Sequence, residues 1–174
     1  MAHQPRGGMP LRFREDVRPG DREVVRKIIT ASGFFSPDEV AIAVELVEER
    51  LVQGLRSGYY FWFAEDANGV IGYTCFGPIP GTSVSYDLYW IAVQNKYRGQ
   101  GVGTSLLRRS EKTIAALSGR RIYIETSSRP LYAPTHAFYN AQGYRQEALL
   151  EDYYAPGDSK VIYVKVLPAL EALA

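Results

Sequence analysis

Glycine stands at positions 99, 101 and 103, inside the run Gln94-Asn95-Lys96-Tyr97-Arg98-Gly99-Gln100-Gly101-Val102-Gly103-Thr104. Glycines at alternate positions let a backbone come close to a ligand and adopt conformations that a Cβ forbids. Val102, Leu106, Leu107, Ile114 and Leu117 follow at helical spacing, so the loop leads into a helix start. The unpaired N–H groups and positive dipole end of that helix face back onto the loop. Physically this is an anion site, and phosphate or pyrophosphate is its natural guest. Two common phosphate motifs fit badly. A Walker A loop ends Gly-Lys-Ser/Thr, whereas Gly103 precedes Thr104 with no lysine. The dinucleotide fingerprint puts its third glycine one place later, where Thr104 stands.

A second chemical segment lies downstream. The run His136-Ala137-Phe138-Tyr139-Asn140-Ala141-Gln142-Gly143-Tyr144 closes a short helix predicted over residues 134–142, with Gly143 just past its end. The glycine loop follows the apolar strand Leu88-Tyr89-Trp90-Ile91-Ala92-Val93, and one further strand separates the two segments. In this order and spacing they resemble the acyl-CoA motif and the closing motif of the GNAT superfamily of N-acetyltransferases. The resemblance covers residues 13–167.

The resemblance implies roles residue by residue. The amides of Arg98, Gly99, Gln100, Gly101, Val102 and Gly103 would hold the pyrophosphate of coenzyme A, with Thr104 just inside the helix. Ile91, Ala92 and Val93 match the strand whose backbone bonds the acetyl carbonyl and the pantetheine arm. An N–H donor at the acetyl oxygen would stabilise the developing oxyanion. The side chains of Ile91 and Val93 would remain free for the core. Tyr139 matches the tyrosine near the thioester sulfur, where a phenol can protonate the departing thiolate; an aromatic on a short helix is otherwise core, as Phe138 and Tyr144 are expected to be. Asp87 stands four residues before Ile91, where some members carry a catalytic carboxylate. On a regular strand Asp87, Tyr89, Ile91 and Val93 share one face. An aspartate starts near pKa ~3.9 and needs burial to become a useful base; otherwise Asp87 faces solvent or anchors the substrate ammonium. Glu125 and a water relay are the alternatives. Many members have asparagine seven residues before the tyrosine, and that place is Tyr132 here. His136 is read as a surface histidine, and Arg108, Arg109, Lys112, Arg120 and Arg121 as the wet side of the fold rather than ligands of the nucleotide 3′-phosphate.

The surrounding pattern supplies elements to hold these groups. Arg12 to Arg14 reads as a short strand. Val24, Val25, Ile28 and Ile29 have helical spacing and stop at Gly33. Ser36-Pro37-Asp38-Glu39 has the form of a capping box, and Val40, Val44, Val47, Leu51 and Leu55 carry one apolar face behind it. Strands are predicted over residues 59–65 and 70–76 around the Asn68-Gly69 turn, then over 83–93 and 122–126. Residues 77–81, with Pro78 and Pro80, are expected to form a loop. Residues 144–152 and 160–166 suggest a hairpin. The sum is an α/β fold (α+β, mixed sheet): a GNAT-type domain over residues 11–168, with a mostly antiparallel central sheet flanked by four helices. Residues 1–10 read as a flexible tail.

Composition excludes several other classes. Lys and Arg total 20 against 19 acids, for a net charge of +1, so nucleic acid and anionic membranes are not expected partners. No apolar run approaches a membrane span, and a cytoplasmic location is expected. One cysteine, Cys75, and two histidines, His3 and His136, argue against a disulfide framework or a resident metal. The function implied is transfer of an acetyl group from acetyl-CoA to the primary amine of a small molecule. The alternatives are a protein or peptide N-acetyltransferase and a non-catalytic acyl-CoA-binding module. The acceptor side is expected from the two N-terminal helices, residues 59–62 and the Tyr153-Tyr154 loop. A homodimer is the default oligomer.

Overall fold

A computed structural model describes residues 11–168, and the predicted tail, residues 1–10, lies outside them. Among the described residues seven strands form one sheet in the order β1-β2-β3-β4-β5-β7-β6. They are β1 (Arg12–Arg14), β2 (Tyr60–Asp66), β3 (Gly69–Pro78), β4 (Ser85–Val93), β5 (Arg121–Ser127), β6 (Arg145–Ala155) and β7 (Asp158–Val166). Helices α1 (Asp21–Ser32) and α2 (Pro37–Gln53) cross between β1 and β2, α3 (Val102–Ala116) links β4 to β5, and α4 (Ala133–Ala141) precedes β6. The mixed α/β architecture and four helices agree with the pattern read from the sequence.

Local signals account for the N-terminal helices. Gly33, at φ 74°, ends α1 in the left-handed conformation. At the start of α2 the Glu39 N–H donates to Ser36 Oγ at 3.3 Å, and the Ser36 N–H donates to Glu39 Oε2 at 2.8 Å. The capping box is therefore closed in both directions. Arg14 anchors the sheet edge to α1: its guanidinium pairs with Asp21 at 2.7 Å and Glu65 at 2.6 Å, above the Phe63 ring.

Each face of the sheet is covered differently. Val25, Ile29 and Val47 of α1 and α2 pack on Phe61, Phe63 and Tyr73. On the opposite face Leu107 and Ile114 of α3 and Tyr139 of α4 pack with Ile122, Ile124 and Tyr163. Trp62 belongs to this second face, where its Nε1–H donates to Thr113 on α3 at 3.1 Å. It is therefore separated from the acceptor side on which residues 59–62 were expected together.

Two boundaries differ from expectation. β3 continues through Gly77 and Pro78, which sit opposite Asp87 and Tyr86. The proline is tolerated because Ile79 makes the bond to Ser85, at 2.9 Å, so residue 78 points its missing N–H away from β4. On that outer side β2 has already ended, at the Tyr60–Phe76 pair. Likewise β6 runs on to Ala155, and the turn shrinks to Pro156-Gly157.

Every neighbouring strand pair is antiparallel except β4 and β5, which run parallel over three residue pairs, Ser85–Arg121, Tyr86–Ile122 and Asp87–Tyr123. Beyond Asp87 the two strands part. Gly77 lies at this point, and a Cβ there would stand 2.2 Å from the Gly58 carbonyl oxygen and 3.4 Å from the Tyr89 ring. Its missing side chain lets the α2–β2 connection settle onto β3 and bring Tyr59 to Tyr89. Gly77→Ala is expected to cost about 1–3 kcal/mol. Gly81→Ala, in open space, carries only the strain of its left-handed backbone, about 1 kcal/mol. Paired thermal melts of the two variants check the order.

Candidate active site

The parting of β4 and β5 opens a passage through the sheet. Its cavity of about 680 Å³ is lined on one side by Phe34, Phe35 and Trp90, and on the other by Gly103, Phe138 and Tyr139. The backbone of β4 is free along this opening. Gln94 N–H donates to Ile71 O at 2.8 Å, so the alternation of an antiparallel ladder turns Ala92 towards Tyr73 of β3. Ile91 and Val93 consequently direct their N–H and C=O groups the other way, towards the space that β5 has left.

The glycine loop forms the next wall. Gly99 and Gly101 have φ of 72° and 81°, the left-handed values for which glycine is suited. Gly101 is the N-cap of α3, and Ser105 N–H makes the first intrahelical bond, to Gly101 O at 3.0 Å. Helix geometry leaves the N–H groups of Val102, Gly103 and Thr104 without such partners. No acidic residue stands in this first turn. Gly103 lies beneath the Phe138 ring, 3.6 Å from where its Cβ would be. The Val102 side chain is buried in the core, and Gln100 turns away to donate to Lys96 O at 2.8 Å. Arg98, Gly99, Gly101, Gly103 and Thr104 all line the cavity, as do Ile91, Ala92 and Val93.

A bridge narrows the passage on the α1–α2 side. The Tyr132 hydroxyl donates to Phe34 O at 3.2 Å, and the two rings meet edge to face at 5.3 Å. Arg98 places its guanidinium 5.3 Å from the centre of the Phe34 ring. Thus the tyrosine that departs from the family pattern ties two distant segments together. Sequence reasoning missed this bridge because its partners are 98 residues apart.

Tyr139 is nine-tenths buried or more, packed with Tyr144 and Tyr163, and lines the cavity. Burial raises its pKa well above the usual phenol value, so the hydroxyl remains a proton donor at neutral pH. Tyr144 instead donates to Glu111 at 3.1 Å and is core, as expected. His136 corrects the surface reading: its Nε2 lies 3.0 Å from Ser127 O and its ring beside Tyr163. Arg109 is also engaged, 4.0 Å over the Phe13 ring. Arg120 donates to Leu167 O at 3.3 Å, whereas Arg108, Lys112 and Arg121 are exposed.

The shared face predicted for Asp87, Tyr89, Ile91 and Val93 is not observed. Leu88 pairs with Phe76 and Trp90 with Cys75, leaving Tyr89 as an extra residue in a β-bulge. The phase of the strand changes there. Tyr89, Trp90 and Ala92 pack with the α1–α2 cluster, whereas Leu88, Ile91 and Val93 pack on the α3 face. Asp87 does not itself line the cavity; Glu125 does. Burial, with the Glu125 charge adding to it and Lys160 opposing it, pushes the Asp87 pKa up to about 6. Lys160 meets Glu125 Oε2 at 2.5 Å and stands 3.8 Å from the centre of the Tyr153 ring. Among the described residues no group of His, Cys, Asp and Glu could hold a metal ion, and no helix is long and apolar enough to cross a membrane.

Residues 57–146 match the family model of the Acetyltransferase (GNAT) domain. An uncharacterized N-acetyltransferase of Methanocaldococcus jannaschii is 30% identical over 120 residues, which are 68% of this chain and 74% of that protein. A crystal structure from Desulfovibrio desulfuricans, attributed to the GNAT family, superposes with a TM-score of 0.88 at 41% identity, covering 90% of this chain and 99% of that one. An aminoglycoside 6′-N-acetyltransferase complexed with coenzyme A has the same fold, with a TM-score of 0.71 at 19% identity over 92% and 98% of the two chains. A glycine loop capping α3 beside a strand edge left free by its parallel neighbour thus agrees with sequence and fold alike: the chain belongs to the GNAT family of acetyltransferases.

Proposed function

We propose that this protein transfers an acetyl group from acetyl-CoA to the primary amine of a small molecule, by direct attack and without a covalent enzyme intermediate. The observation that carries this reading is the cavity between β4 and β5, lined from both faces of the sheet, with N–H donors suited to the cofactor and the Glu125 carboxylate among its walls. Acetyl-CoA fits the donors. The N–H groups of Val102, Gly103 and Thr104, with the Arg98–Gly101 loop, suit a pyrophosphate. The free edge at Ile91 and Val93 suits the amides of a pantetheine arm, and the aminoglycoside enzyme of the same fold was solved with coenzyme A.

The chemistry follows from these placements. Asp87, which does not line the cavity, takes a proton from the acceptor ammonium through a water. The amine nitrogen then bonds to the thioester carbon. A backbone N–H of β4 donates to the oxygen as negative charge develops there. Tyr139 donates its proton to the sulfur as the carbon–sulfur bond breaks, and the proton that the new amide nitrogen sheds restores the phenol through solvent. The products are the amide and coenzyme A. Tyr59 and Tyr89 line the approach on the Asp87 face, their rings 5.6 Å apart, and Tyr153 and Tyr154 stand around Lys160. Ring faces of this kind favour an acceptor with an apolar or cationic group. The Phe34–Tyr132 bridge narrows the passage and favours a small molecule over an extended peptide.

Release of coenzyme A, followed with a thiol reagent across pools of small amines, polyamines, amino acids and peptides, tests the reading. Release above acetyl-CoA alone is expected in a small-amine pool; release with peptides only would reassign the acceptor. If acetyl-CoA raises the melting temperature while every pool stays silent, the chain acts as a binding module.

Two variants test the roles. Tyr139→Phe is expected to lower kcat at least ~10-fold with little change in acetyl-CoA affinity, and calorimetry beside steady-state rates separates the two. Asp87 is active when deprotonated, so kcat/KM should fall towards acid with a midpoint near 6. Asp87→Asn should lower the rate ~100-fold and remove that limb. A parental pH profile in Asp87→Asn would take the residue out of the mechanism.

A further inference from the structure

Lys160 has an unusual position for a lysine on a strand. It lies in β7 opposite Ser127 of β5 and Leu150 of β6, and only 9% of its side chain is exposed. Lysine is rarely buried to this degree unless it is paired. Here the ammonium contacts Glu125, stands 3.8 Å from the Tyr153 ring centre and 5.8 Å from that of Tyr154. Glu125, in contrast, is half-exposed and lines the cavity. Glu125 and Tyr123 alternate along β5 on one face, and Tyr123 is the residue opposite Asp87. The ion pair therefore lies one step along β5 from the last rung that joins the two halves of the sheet.

We propose that Lys160 is a positioning residue: by holding Glu125 it keeps a second negative charge from acting unopposed on Asp87, and so sets the lowest pH at which Asp87 can accept the amine proton. The proposal rests on the reading of Asp87 as the base. The groups around Asp87 are few. Glu125 acts on it from β5, where Tyr123 is its partner, and Lys160 from β7 with Tyr153 and Tyr154 of β6 around the ammonium; Tyr89 follows on its own strand, with Tyr59 and Cys75 beside Tyr89 and Arg50 donating to Tyr59 O at 2.8 Å. The Arg129–Asp158 pair, at 3.3 Å, lies beyond Lys160. Among these, Lys160 is the cation nearest the two carboxylates. Two carboxylates close together resist ionising at once, and Lys160 offsets part of that conflict without itself lining the passage.

Carboxyl-carbon NMR titration of the full chain, labelled at aspartate side chains and without ligand, tests this directly; the Asp87 signal is assigned by its loss in Asp87→Asn. Lys160→Met should move the Asp87 midpoint up by roughly half a pH unit or more, and Glu125→Gln should move it down. The double variant should return close to the parent, and Lys160→Arg should stay there. The acid limb of transfer to the best amine should follow the same order. An unmoved or lowered midpoint in Lys160→Met overturns the proposal. If that variant fails to fold, an unmoved midpoint in Glu125→Gln overturns it equally. Failure of the base reading looks different: Asp87→Asn would keep full transfer while the opposite midpoint shifts of the two neighbours persisted.

Discussion

Parallel strands that pair over three residues and then separate leave a sheet with an internal gap, and this gap governs the rest of the molecule. β4 and β5 stay in one sheet only up to Asp87 and Tyr123. Past that rung the N–H and C=O groups of Ile91 and Val93 have no neighbouring strand. Such groups normally occur at the outer edge of a sheet; here they lie in its middle, walled by side chains from both faces. The helix that connects the two strands begins at the same place, since α3 must leave the end of β4 to cross to β5. A free strand edge and a helix N-terminus are brought together by one topological fact. Both offer N–H donors, an arrangement suited to a ligand with carbonyl and phosphate oxygens in succession.

The bulge at Tyr89 adds a second consequence. One extra residue on β4 divides its side chains between the two faces: Asp87 and Tyr89 go with α1 and α2, Ile91 and Val93 with α3. A regular strand would place the side chains of Asp87, Ile91 and Val93 on a single face. With the bulge, acceptor chemistry can be arranged on one face and donor chemistry on the other, meeting in the gap. Tyr139 packs from the donor face and Asp87 belongs to the opposite one, which suits a reaction that takes a proton from the nucleophile and gives one to the leaving group.

Local signals were legible in the sequence and long-range ones were not. The Ser36–Glu39 capping box, Gly33, and the glycines of the 99–103 loop each act within a few residues, and all stand where the pattern put them. The family resemblance likewise rested on two short motifs. The bulge was hidden because residues 88–93 are apolar or aromatic throughout, so no alternation marks a change of phase. The same uniformity in Tyr59-Tyr60-Phe61-Trp62-Phe63 concealed that Trp62 faces α3. The Lys160–Glu125 pair depends on β7 inserting between β5 and β6, an order that no local pattern encodes. Pro78 shows the converse: the rule against proline in a strand is right about hydrogen bonding, but it does not apply where the neighbouring strand has already stopped.

The free edge at Ile91 and Val93 also shapes how the resting protein behaves in time. In the centre of a seven-stranded sheet, backbone amides are ordinarily the slowest to exchange with solvent, because they open only when the whole sheet does. These two are set in the same strand as the well-bonded Ala92 yet turn towards an open cavity. Deuterium should therefore enter β4 at every second residue, fast at 91 and 93 and slow at 92, a comb pattern within three consecutive positions. A ligand that bonds to this edge would erase the comb, and its residence would be written in the exchange of two amides.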